Sequence, residues 1–124
     1  MLHLTGNLRQ RFLSVIGDEP DQRDRPAEFA ARGPIAGAKL LADFEETVAR
    51  IERLLSGFEP VRLVETRRYA MLRGEVENSV LGVALQTLVH LGGHTQEIIA
   101  LTRRALGDQY RFLENRAARQ PGPL

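Results

Sequence analysis

The sequence predicts an all-α bundle with three long helices, on three observations. Apolar residues recur at three- and four-residue steps in three separate stretches, glycine or proline closes each stretch, and strand-like alternation is scarce. The chain has 124 residues, which suits one domain. We expect that domain over residues 1–107, followed by a C-terminal tail over 108–124.

In the first stretch, Leu2 to Ile16, Leu4, Leu8, Phe12 and Ile16 stand at strict four-residue spacing with Val15 beside them, which is one face of a helix. Gly17 and Pro20 end it. The segment GDEPDQRDRPAEFAARGP reads as a long loop with a short helical turn at Pro26 to Ala31, because proline suits a first helical turn. The second helix runs from about Ile35 to Leu55, on Leu40, Leu41, Phe44, Val48, Ile51, Leu54 and Leu55, and stops at Gly57 and Pro60. The stretch VRLVETRRYAMLRGE permits an extended conformation through its Val and Tyr content, and is expected to cross over between helices. The third helix spans about Glu77 to Leu106, closed by Gly107, and its apolar residues cover most of its circumference. A helix of that kind belongs at the centre of a bundle, and three helices normally want a fourth to close the core.

Charge and composition narrow the function. Seventeen basic residues, all but Lys39 arginine, balance sixteen acidic ones to leave +1, too even for a general polyanion binder, so no nucleic-acid partner is expected. A hydrophobic content of 43% is enough for a core and argues against global disorder. No uncharged apolar run is long enough to span a membrane, and the polar start MLHLTGNLRQ is not a secretory signal. Cysteine is absent, which removes disulfides, thiolate nucleophiles and Cys-ligated metals. A cytoplasmic location without membrane partners is the expectation.

The three histidines are His3, His90 and His94. His90 and His94 form HLGGH, and residues four apart share a helix face, so two imidazoles can converge on one transition-metal ion. A solvated or core-satisfied pair has the same spacing. The residues between them are not those of HExxH, so the metalloprotease arrangement is unsupported. Gly92 and Gly93 each cost a helix roughly 1 kcal/mol relative to Ala. They fit either close helix packing or open room beside the ligands. Glu97, on the same face, suits an acceptor behind a ligand, a fourth ligand, a general base or a plain solvated carboxylate. Asn7 follows His3 by one turn and suits either a place facing the same cavity or a helix-to-loop hydrogen bond.

Three segments resemble the DinB-like (DinB/YfiT-type) metal-binding four-helix bundles: HLTGNLRQRF at 3–12, RDRPAEF at 23–29 and LVHLGGHTQEII at 88–99. The likeness extends over most of residues 2–105. It implies an up-down four-helix-bundle architecture and a divalent transition metal (Zn, Ni, Fe or Mn) held by His3, His90 and His94. Some members of that family are thiol-dependent enzymes, so the resemblance implies an S-transferase or related enzyme with a low-molecular-weight thiol and a small electrophile as partners. Family members carry a helix before the first His ligand. Here only Met1 and Leu2 precede it, so the bundle is expected to lack its first helix and to cover the exposed strip by forming a homodimer.

Two other readings stand beside this one. The chain suits a non-catalytic helical dimerisation domain without metal. Alternatively, Met1-Leu2-His3 resembles an amino-terminal copper/nickel motif, in which the amine, two deprotonated amides and an imidazole form a square-planar site. That geometry forbids a helical His3.

Overall fold

The computed structural model describes residues 1–71 and 73–111. It is mostly helical, with one two-stranded sheet. The chain divides into two units, Met1–Leu91 and Gly92–Leu124. The anticipated tail lies outside the described residues from 112 onward.

Helix α1, Leu2–Leu8, continues directly into a π-helical segment, Arg9–Ile16, closed by the Gly17 N–H donating to the Phe12 carbonyl at 2.9 Å. The apolar spacing accounts for the change of helix type. On an α-helix a strict four-residue repeat drifts by about 40° per step. A π-helical turn is wider than four residues, so the drift reverses. Leu4, Leu8, Phe12 and Ile16 consequently stay on one side, and all four are buried. Gly17 ends the segment through tightness, since a Cβ there would stand 2.7 Å from the Leu13 carbonyl oxygen. The left-handed residue is the next one, Asp18, at φ 61°.

Helix α2, Arg25–Ala30, is the short turn expected near Pro26. The Asp24 side chain caps it, accepting from the Ala27 N–H at 2.9 Å. Helix α3, Gly37–Ser56, packs against α1 and the π-helical segment. Thr47, fully buried on α3, accepts from Arg9 Nε at 2.8 Å and donates to the Asp43 carbonyl at 2.7 Å, so the polar atoms at this contact are satisfied.

The stretch expected to cross over between helices is instead an antiparallel hairpin, after a 3-10 turn at Pro60–Val64. Strand β1, Thr66–Met71, pairs with β2, Gly74–Ser79, in the register Tyr69 to Val76. The all-α expectation is corrected accordingly. Tyr69 and Val76 pack on the core, while Arg67 donates from Nε to the Val15 carbonyl at 3.1 Å. An arginine on the inward side interrupts the apolar alternation that marks a strand. Glu65 sits just before β1. Desolvation pushes its pKa up, but hydrogen bonds from Arg67 and Arg62 outweigh it and hold the carboxyl below its ordinary value.

Helix α4 occupies Val80–Leu106 and so begins three residues later than Glu77. Glu77 belongs to β2, where its carboxylate pairs with Arg68 at 2.7 Å, and the Ser79 hydroxyl accepts from the Gly82 N–H at 3.0 Å as an N-cap. Gly107 follows at φ 50°, closing the helix as expected. The core of the first unit joins Leu8, Phe12, Leu13 and Ile16 to Ile51, Tyr69, Val80 and Val83. On α4 only Val80, Val83 and Thr87 are buried. Leu81, Leu85, Leu88 and Val89 are exposed. No helix among the described residues is long and apolar enough to cross a membrane.

Candidate metal centre

His3 lies in the first turn of α1. Its helical backbone excludes the square-planar amino-terminal motif, which needs the amide nitrogens of Leu2 and His3 as ligands. His90 projects from α4, and the two Nε2 atoms stand 3.1 Å apart with the rings edge-on. His94 follows one turn later on the same uninterrupted helix. The three histidines form a group that could hold a metal ion.

The spacing of the first pair fits such an ion. Two imidazoles on a tetrahedral zinc, each at about 2.0–2.1 Å, would have their nitrogens roughly 3.3 Å apart. The 3.1 Å separation is within a few tenths of that edge. The donor set, three neutral nitrogens without thiolate, suits Zn, Ni, Fe or Mn and does not choose among them.

Carboxylates stand behind two of the histidines. Glu28 Oε2 lies 3.3 Å from His3 Nδ1, and Glu97 Oε2 lies 2.9 Å from His94 Nδ1. A carboxylate accepting from Nδ1–H leaves the Nε2 lone pair as the metal-facing atom. Glu97 is placed to accept from His94 Nδ1–H, one of the roles its spacing allowed. Among the described residues, a Cβ at Gly92 or Gly93 would meet nothing within 4 Å.

Glu28 was not singled out from the sequence. Arg23 holds it through Nε to Oε1 at 2.8 Å and through one terminal nitrogen to Oε2 at 2.7 Å, a two-point clamp. Both side chains are nine-tenths buried or more. Arg23 also donates to Gln10 Oε1 at 3.0 Å, which ties the loop to the π-helical segment. Gly6 makes the approach sterically possible, since a Cβ there would fall 1.9 Å from Glu28 Oε1. The signals in the sequence are a capped, proline-started turn ending in RPAEF and a glycine one turn after His3. Neither says by itself where the carboxylate points.

His3 and His90 border a cavity of about 840 Å³, and Asn7 lines it as anticipated. Among the described residues its wall carries Arg11, Arg23 and Arg25 and no carboxylate, with Phe29 and Met71 among its apolar lining.

The chain belongs to the family described as "Protein of unknown function (DUF1572)", whose model matches residues 1–118. No curated protein and no solved structure matches the chain.

Proposed function

We propose that this is a metal-dependent enzyme of the DinB-like kind, in which His3, His90 and His94 hold one divalent transition metal and a low-molecular-weight thiol is transferred to a small electrophile. The observation that carries the metal reading is the 3.1 Å approach of His3 Nε2 to His90 Nε2, with a carboxylate on the far nitrogen of His3. Two imidazole nitrogens held this close either share one proton or face a common cation. His3 Nδ1 lies between Glu28 Oε2 at 3.3 Å and Arg23 Nη2 at 3.2 Å, and a carboxylate accepting from Nδ1–H would leave the Nε2 lone pair on the cation side.

When bound, the metal would supply a Lewis acid that favours the thiolate form of a thiol. The chain's own residues do the rest. Glu28 and Glu97 hold the imidazoles in orientation. The cavity beside His3 and His90 receives the reactants, and Phe29 and Met71 give it an apolar side. With no cysteine in the chain, any nucleophilic sulfur comes from a cosubstrate.

Metal analysis of the purified chain tests this reading. Transition metal near one equivalent per chain is expected, and His90→Ala with His94→Ala together should remove it while helical circular dichroism persists. Metal retained by that double variant overturns the site. If metal is bound but glutathione, bacillithiol and mycothiol all fail to react with a panel of electrophiles, the transferase half of the proposal falls.

A further inference from the structure

The arginines on the cavity wall are not equivalent. Arg23 is engaged by Glu28, Gln10 and His3 Nδ1. Arg11 and Arg25 form no ion pair among the described residues, and each lies against an aromatic ring, Arg11 over Tyr69 at 4.3 Å and Arg25 over Phe29 at 5.4 Å. One terminal nitrogen of Arg11, Nη1, is buried and has no hydrogen-bond partner among the described residues. Proteins seldom tolerate an unsatisfied buried donor on a charged group without a reason. Burial lowers the pKa of Arg11, with Arg23 and Arg25 pushing the same way against Tyr69 and Asp21. Positive charge thus converges on a cavity whose lining, among the described residues, offers no carboxylate to balance it.

We propose that this cavity binds an organic carboxylate, with Arg11 as its anchor and Arg25 as a second cation at its wall. An anion in the cavity supplies the counter-charge that no described residue gives Arg11 or Arg25 in an ion pair. Phe29, Met71 and Pro26 line the same space, and about 840 Å³ is far more than an inorganic anion fills, so the ligand has an apolar body as well as a charged end. This deepens the proposed function by giving the small electrophile, or the thiol, a carboxylate near His3. It rests on that reading for the ligand's role in a reaction, not for its binding.

The probe is 4-phenylbutyrate, compared with its neutral amide by titration calorimetry and ligand-observed NMR. Both are offered to the full chain after chelator treatment and again after loading with zinc. The acid should bind at least tenfold more tightly than the amide in both forms. Arg11→Gln should abolish the preference and Arg11→Lys should keep part of it, with circular dichroism showing each variant folded. If Arg11→Gln does not fold, Arg25→Gln is read instead, with a reduced preference expected. Equal binding of acid and amide, or a preference untouched in the folded variants, overturns the proposal. A preference seen only in the zinc-loaded chain also overturns it, since the metal would then hold the carboxylate. Absence of stoichiometric metal together with an Arg11-dependent preference would instead overturn the metal reading and leave this one standing.

Discussion

Glu28 is where several residue choices meet. Its carboxylate reaches His3 because Arg23 fixes it from one side and Gly6 leaves space for it on the other. The arrangement makes Glu28 a positioning residue for the imidazole. Replacing it with glutamine keeps the shape but removes the negative charge that Arg23 and His3 share. If His3 is a ligand, the loss of a carboxylate behind it is expected to weaken metal affinity by about 10–100-fold. Competition against a chelator of known affinity measures this, and an unchanged affinity in folded Glu28→Gln would show that the carboxylate does not orient His3. Loss of one partner from a buried ion pair also destabilises by roughly 3–5 kcal/mol, with glutamine at the mild end because it can still accept a hydrogen bond. Denaturant unfolding of the same variant separates the two effects.

Among the elements, the helices were legible because burial on one side of a helix imposes three- and four-residue spacing, as on α3 with Phe44, Ile51 and Leu54. The hairpin was not. Its inward positions on β1 read Arg67, Tyr69 and Met71 and its partners on β2 include Asn78, so apolar alternation is too broken to register. The candidate site divides the same way. His90 and His94 declare themselves by spacing within one helix, whereas joining His3 to them takes a contact across 87 residues, which only the family resemblance suggested. Glu28 depends on two loop contacts that no periodicity encodes. The junction of hairpin and helix yields an element-scale prediction. Val80 N–H donates to the Glu65 carbonyl at 2.9 Å and the Ser79 hydroxyl caps the first turn of α4, so one residue ends β2 and starts the helix. Ser79→Ala should cost about 1 kcal/mol, the usual price of a lost N-cap. A fall of a few degrees in Tm, read by circular dichroism, is expected, and no change would mean the cap is not holding the junction.

At the scale of the molecule, α4 presents Leu81, Leu85 and Leu88 at successive helical turns, each about half exposed, with Val89 more than three-quarters exposed beside them. The opposite side of the same helix is committed to the core through Val80 and Val83. Covering a Leu- or Val-sized side chain contributes roughly 1.5–3 kcal/mol when burial is complete. Three or four of them in one strip are therefore a sizeable share of a domain's typical ~5–15 kcal/mol stability. We propose that a second copy of the chain covers the strip. Three leucines at this spacing suit the same strip on a partner helix, as a two-fold axis requires. Sedimentation at micromolar concentration should then give about twice the chain mass of 13.9 kDa. Leu85→Glu with Leu88→Glu should return it to one chain, because burying two charges against two more on the symmetry mate is strongly unfavourable. These substitutions sit on the exposed side, so a folded monomer is the expected product. A native chain that is already monomeric at that concentration would sink the dimer and leave the strip to another partner, whereas a dimer that persists in the double variant would place the interface elsewhere on the molecule.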